Sequence, residues 1–169
     1  MKYPSIEDIF QAVGKDSESA PLQTIFSCLK IGVDQLRKYP ANIKGRRIWS
    51  SDAGGLQLEF KDIGLLREIP YHDVDEGPWV LTNVIFWGEQ EGSDIAYGGP
   101  KPYELDYSMD RDTVRSIMLS KNFGAPSILG VAGNVDMWAI GSTEVKVNYS
   151  KSKGIRSISV GVLIERKRS

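Results

Sequence analysis

The chain contains one cysteine and one histidine in 169 residues. A single thiol excludes an internal disulfide and any multi-cysteine metal site, and a single imidazole, His72, excludes a histidine-pair metal centre and a proton relay through two rings. Long hydrophobic runs are missing too. The longest, Trp79 to Trp87, is broken by Thr82 and Asn83 and falls far short of the roughly 20 residues that span a bilayer, so neither a membrane helix nor a membrane partner is expected. The first residues, MKYPSIEDIFQ, carry acids where a secretory signal needs an apolar stretch, and the expectation is a cytoplasmic protein in a reducing compartment. An excess of one charge is also lacking. The formal net charge is −1, which argues against direct nucleic-acid binding through bulk positive charge.

Catalytic signatures are absent as well. The chain has no G-x-S-x-G elbow, no phosphate-binding G-x-x-x-x-G-K-[ST] and no G-x-G-x-x-G, and Gly54-Gly55 and Gly98-Gly99 read as turns. Asp73, Asp75 and Glu76 have a spacing that a cation could use, but they lack the glycine hinge and downstream glutamate of a calcium loop. His72, beside Asp73, reads as a surface residue rather than a general base. Cys28 shares the apolar phase of Ile25 and Leu29 and reads as packing material. No enzyme, no cofactor and no metal is expected.

What is present is an ordinary globular composition, 41% hydrophobic and 25% charged, which predicts one compact domain over residues 1–169. Ser5 to Gly14 reads as a capped helix with Ile6, Ile9, Phe10 and Val13 on one face, and a second helix starts at Pro21 and closes at Gly32. From Arg47 the period becomes two. Ile48, then Leu56, Leu58 and Phe60, then Leu66 and Ile69 predict a three-strand antiparallel meander, with Trp79 to Trp87 as a fourth strand and Gly88 to Tyr103 as a long loop. The grammar then restarts: Ser108 caps a helix through Val114, Ile117 and Met118, and Trp138–Ile140, Val145–Tyr149 and Ile155–Val160 form a second meander.

The two meanders align at a constant offset of 89 residues (138 minus 49) without a gap, pairing Trp49 with Trp138, Leu58 with Val147, and Ile69 with Ile158. The pattern predicts an α+β fold of tandem helix-plus-meander repeats, repeat one about 5–88, loop 89–103 and repeat two about 104–165, the alternative being two generic antiparallel meanders that converged on one pattern. Two such units can join edges into a mainly antiparallel sheet with helices on one face. The other face then stays free for solvent or for binding.

Charge is segregated along the chain. Asp73 to Asp112 holds ten acids against two bases, and Thr113 to the end holds nine bases against three acids. Interleaved with the acids are Trp79, Trp87, Tyr97, Tyr103 and Tyr107, and aromatic anchors rimmed by charge are the usual ingredients of an interface hot spot. Trp79 and Trp87, an even number of positions apart, either face the core together or serve as anchors, whereas Tyr97 and Tyr103 on the loop favour an interface role. The candidate partner-binding set is Asp73, Asp75, Glu76, Trp87, Glu89, Glu91, Asp94, Tyr97, Tyr103 and Asp106.

The stretch PYELDYSMDRDTVRSIM, then FGAP, Trp138 and two strands ending GIRSISV, resembles the second half of small bacterial immunity proteins that neutralise bacteriocins and polymorphic, contact-delivered toxins. IEDIFQAVGK followed by GLQLEFKDIGLLREI is similar to their first half, so the resemblance runs over about Ile6 to Val162. The helix-plus-meander unit is also similar to the repeat of the beta-lactamase inhibitor protein and of the small lipoprotein of the outer-membrane assembly machinery. Between Met118 and Gly124 the chain reads LSKNF, where the immunity proteins pass from helix directly to Leu-Gly-x-Pro. The resemblance implies a stoichiometric inhibitor of one cognate toxin protein. For a nuclease toxin the acidic belt would mimic phosphate. The alternative expectation is a small-molecule or peptide-binding module.

Overall fold

The computed structural model describes residues 2–52, 55–89, 96–151 and 154–164. Helices α1 (Ile6–Ala12) and α2 (Ala20–Leu29) come first, then a single 3-10 turn (Val33–Gln35). Strands β1 (Arg37–Lys38), β2 (Arg46–Ser50) and β3 (Leu56–Asp62) follow, with a short helix α3 (Ile63–Arg67) before β4 (Trp79–Trp87). After a 3-10 turn (Pro102–Glu104) come α4 (Arg111–Ser120), β5 (Ser127–Leu129), β6 (Val135–Ile140), β7 (Thr143–Tyr149) and β8 (Ile155–Val162). All eight strands form one sheet in the order β1-β2-β3-β4-β8-β7-β6-β5, and every pairing is antiparallel.

Local chemistry explains most of these boundaries. The Ser5 hydroxyl accepts from the Asp8 amide at 3.1 Å and opens α1, and Ser19 does the same for α2 through the Leu22 amide at 3.4 Å. α2 closes at Lys30, in the left-handed region at φ 56°, rather than at Gly32. α4 opens at Asp110, whose carboxylate takes the Thr113 amide at 2.8 Å. The expected cap, Ser108, lies outside the helix and bonds Asp106 instead. Over LSKNF the helix runs on to Ser120, with Lys121 as its C-cap.

The apolar residues of α1, α2 and α4 share one core with the inward positions of the strands: Leu22, Ile25, Phe26, Val114 and Met118 pack with Leu58, Phe60, Phe86, Val147 and Val160. These helices therefore cover one face of the sheet. β4 and β8 join the two halves over five register pairs, from Asn83↔Gly161 to Trp87↔Ser157. The start of β4 is flanked by the α1–α2 link instead, through Gly14 N to Leu81 O at 2.8 Å and Leu81 N to Lys15 O at 3.0 Å.

Two strand expectations are corrected. Leu66 to Ile69 is not the third strand of a meander, because the Asp62 carboxylate takes the Gly64 amide at 2.7 Å and caps α3. Leu66 and Ile69 are left 43% and 40% exposed, whereas Ile155, aligned with Leu66 by the offset of 89, is 5% exposed on β8. The strand that does pair with β3 is β4, and Phe86 opposite Leu56 corresponds to Val160 opposite Val145, an offset of 74 (160 minus 86). The hairpins before it also differ. Trp49 pairs with Leu58 but Trp138 pairs with Val145, because the first link, 51–55, is longer than the Gly141–Ser142 turn. Both tryptophans nonetheless face the helices, Trp49 half-buried and Trp138 2% exposed.

Candidate binding face

Residues directly opposite on antiparallel strands share a face, so the register defines what the uncovered side presents. Gln57 and Glu59 of β3 meet Ile85 and Asn83 of β4, which meet Ser159 and Gly161 of β8. These in turn meet Lys146 and Glu144 of β7, and Lys146 meets Met137 of β6. None of these residues belongs to the helix-covered core.

Polar groups on this face are largely matched to one another. Asn83 Nδ2 donates to Glu59 Oε1 at 2.9 Å, the Trp87 indole N–H to Gln57 Oε1 at 3.2 Å, and Asn134 Nδ2 to Asn148 Oδ1 at 3.0 Å. Lys146 and Glu144 pair at 3.2 Å. Covering a surface whose polar atoms already have partners strips less water-facing hydrogen bonding than covering isolated ones. The apolar side chains left on this face are the half-buried Trp87, Ile85 and Met137, with Trp87 opposite Ser157 and Ile85 opposite Ser159.

Trp87 reaches this face through a β-bulge. The register of β3 and β4 shifts between Glu59 and Phe60, with Glu59 opposite Asn83 but Phe60 opposite Leu81. One extra residue, Thr82, reverses the in-out parity of β4. Trp79 therefore points to the helix side at 5% exposure, with the Arg47 guanidinium 4.1 Å from its ring centroid, while Trp87 stays half-buried on the opposite side. The even spacing of the two tryptophans does not put them together.

The acids do not form one belt. Asp73, Asp75 and Glu76 precede β4 and Glu89 follows it, so the nine-residue strand separates them by roughly 26 Å at about 3.3 Å per residue. Asp73 and Glu76 are exposed, but Asp75 is engaged by Arg47 at 2.8 Å, Lys38 at 2.9 Å and the Gly45 amide at 3.1 Å. The Arg47 hydrogen bond, with Gly45 and Lys38 behind it, holds its carboxyl far below the usual range. Asp106 is exposed and accepts from the Ser108 amide at 2.9 Å and hydroxyl at 2.8 Å, which lowers its pKa. Glu89 is exposed. Glu91 and Asp94 lie outside the described residues.

The loop tyrosines turn inward. Tyr97 is 2% exposed, its ring 4.7 Å from Tyr3 and 5.1 Å from Phe86, and burial pushes its phenol well above the ordinary value. Tyr103 is half-buried between Phe10 at 5.7 Å and Phe123 at 5.0 Å, and burial raises its pKa as well. Tyr97 is a core residue, not a surface anchor. His72 is likewise no simple surface residue, since its Nε2 lies 2.8 Å from the buried Asp62 and its side chain is 13% exposed.

Sequence reasoning missed Ile85, Met137 and Lys146. The alternation of Glu144, Lys146 and Asn148 with Val145, Val147 and Tyr149 carried the signal for Lys146, and pairing β6 against β7 would have extended it to Met137. At the edge of the sheet a second feature appears, a cleft of about 410 Å³ lined by Gln35, Arg37, Ile48, Trp49, Ser50, Ser51 and Asp52. Among the described residues no group of three or more histidines, cysteines and acids could hold a metal ion, and no helix is long and apolar enough to cross a membrane.

Fold and surface together define an α+β protein whose antiparallel sheet is covered by helices on one side and, among the described residues, presents the half-buried Trp87, Ile85 and Met137 on the other, beside the buried Ile48, Glu144 and Ser157. No family model, no curated protein and no solved structure matches the chain, so any statement of its role stands on the residues themselves.

Proposed function

We propose that this chain is an immunity protein, a cytoplasmic inhibitor that binds one cognate bacterial toxin domain by stoichiometric protein contact. The single observation that carries the reading is the open face of the sheet, where Trp87, Ile85 and Met137 stand among polar side chains that already satisfy one another. An aromatic and two aliphatic anchors within a rigid polar lattice suit a preorganised protein interface. The resemblance of PYELDYSMDRDTVRSIM and GIRSISV to immunity proteins supports the same reading. Glu89 and Asp106, exposed at one end of the sheet, steer the encounter with a basic toxin cleft.

The scaffold is a duplicated unit of one helix and four strands. Leu22, Ile25 and Phe26 of α2 correspond to Val114, Ile117 and Met118 of α4, each at an offset of 92 (114 minus 22). Trp49 corresponds to Trp138 at 89 and Phe86 to Val160 at 74, and the fall to 74 reflects the α3 segment between β3 and β4, which the β7–β8 turn lacks.

The test is co-purification with candidate toxin domains, taken first from any found in the reading frames that adjoin this gene. A one-to-one complex that silences the toxin is expected, and Ile85→Lys with Trp87→Ala weakens it at least about tenfold in a chain that circular dichroism shows still folded at the assay temperature, with Trp87→Phe as the milder variant because the indole is half-buried and bonded to Gln57. Full toxin activity in the presence of equimolar chain would refute the role. Intact binding by the double variant would move the interface elsewhere.

The cleft beside Trp49 favours a second reading, a small-molecule or peptide-binding module, since a concave site with an indole wall and the polar Arg37 and Asp52 is what such ligands need. A ligand-dependent thermal shift abolished by Trp49→Ala, in the absence of any protein partner, would support it over the first.

A further inference from the structure

The two outer edges of the sheet differ in how they treat a neighbouring strand. β1 is two residues long and made of Arg37 and Lys38, both exposed, so pairing it with another copy would set like charges side by side. That is a guarded edge. β5 closes the other side of the sheet, and from Asn122 to Val135 the chain holds no Asp, Glu, Lys, Arg or His, in a sequence that is 25% charged. Ile128 on this edge is 61% exposed, and Val131, in the turn that follows, is fully exposed. Among the described residues nothing pairs with the outer side of β5.

We propose that β5 pairs antiparallel with β5 of a second copy of this chain, extending the sheet to sixteen strands across a two-fold axis. Three observations select a second copy as the occupant. An edge strand exposes a ladder of unpaired N–H and C=O groups that only another strand can satisfy along its length. A register centred on Ile128 sets Ile128 beside its own copy and Ser127 opposite Leu129, so neither paired strand carries a charge, and the Asp136 carboxylate one strand inward is already neutralised by Arg111 and Arg115. The same edge-to-edge antiparallel union already joins the two halves of this molecule, where β4 meets β8 over five register pairs. The dyad of an antiparallel pair stands perpendicular to the sheet, so both open faces lie on the same side and the dimer presents two binding faces together. A strand of three residues makes a small seam, which places the dissociation constant in the micromolar rather than the nanomolar range.

Sedimentation equilibrium of the full chain over a concentration series up to several hundred micromolar tests this. The mass should rise from the monomer value of 18.8 kDa towards twice that value, with a midpoint that barely moves between low and high salt, because no charged residue sits on the seam. Ile128→Lys should weaken dimerisation at least about tenfold, with the circular dichroism spectrum and thermal midpoint unchanged because the side chain is already exposed. Amide exchange supplies a second readout in the unaltered chain: protection at Ser127 to Leu129 should rise with protein concentration. A chain that stays monomeric throughout overturns the proposal. So does a dimer that Ile128→Lys leaves intact, that salt dissolves, or that leaves exchange at β5 unchanged.

Discussion

Each half of the sheet buries one carboxylate on the helix-facing side, and the two are satisfied in opposite ways. Asp62, at the end of β3, is 0% exposed and accepts from the Gly64 amide at 2.7 Å and the Gly77 amide at 2.6 Å, with His72 Nε2 at 2.8 Å. Its partners run from the first turn of α3 to the loop before β4, between residues 64 and 77, so it organises the link between β3 and β4. Asp136, on β6, is also 0% exposed, but it is held by the Arg111 guanidinium at 2.6 Å, the Arg115 guanidinium at 2.8 Å and the Tyr149 hydroxyl at 3.1 Å. Arg111 and Arg115 are one turn apart on α4, so this carboxylate clamps a helix onto the sheet. The contrast follows from helix composition. α2 buries Leu22, Ile25, Phe26 and Leu29, whereas α4 buries only Val114 and Met118. A helix with a narrow apolar stripe is fixed by ion pairs where its counterpart is fixed by area.

The largest effect is therefore expected at Asp136. Asp136→Asn leaves two guanidiniums facing a neutral group and should cost about 3–4 kcal/mol, the lower part of the penalty for breaking a buried ion pair, because the Arg111 and Arg115 side chains left behind are about a third exposed, measured by urea denaturation at neutral pH. Burial works against the charge of Asp136, but hydrogen bonds from Arg115 and Arg111 outweigh it and bring its pKa down to about 2. A folded-state pKa below the unfolded value of about 3.9 stabilises the fold fully above pH about 4 and ceases to do so as the pH falls through about 2. The variant should lose that acid-limb slope. An Asp136→Asn chain that unfolds at the wild-type urea midpoint would mean that apolar contacts alone hold α4.

Next in size is Ile155→Ala. At 5% exposure in the core it should cost about 2–4 kcal/mol through lost burial and the cavity left behind. Asp62→Ala should cost about 2–3 kcal/mol, from a lost cap and loop amides deprived of an acceptor, and the change should be local. Amide exchange should accelerate across residues 63–78 while β7 and β8 keep their protection. Acceleration spread evenly over both halves would mean that Asp62 supports the whole sheet as Asp136 does.

Much of this architecture was legible because strand alternation and helix caps are local. The helix from Ser5, the strand pairing of the second half and the antiparallel character of the sheet all follow from period, caps and turn residues within a few positions. What was not legible depends on one residue acting at a distance. Thr82 is an ordinary strand residue until its partner strand is known, yet the bulge there sends Trp79 and Trp87 to opposite faces. Asp62 reads as a turn residue, but its carboxylate caps α3 and converts an apparent strand into a helix. Tyr97 and Tyr103 sit in a segment rich in glycine and proline that reads as exposed loop, and only the N-terminal Tyr3 and Phe10, distant in sequence, show why they turn inward. On the open face the outward alternation was readable, whereas the mutual pairing of its polar groups required the register.

The smallest expected effect sharpens the comparison most, because it concerns two positions that the sequence aligns. Leu66 and Ile155 match at the offset of 89, and a strict repeat would give them the same burial. Leu66 instead follows the α3 cap and is 43% exposed, against 5% for Ile155. Truncating an exposed leucine removes little buried area, so Leu66→Ala should change stability by no more than about 0.5 kcal/mol, read as an unchanged urea midpoint beside the large shift of Ile155→Ala. A Leu66→Ala penalty equal to that of Ile155→Ala would restore the third strand of the first meander. Near-silence at Leu66 means that, whatever the two halves share in sequence, the α3 segment after β3 keeps that position out of the core and on the surface.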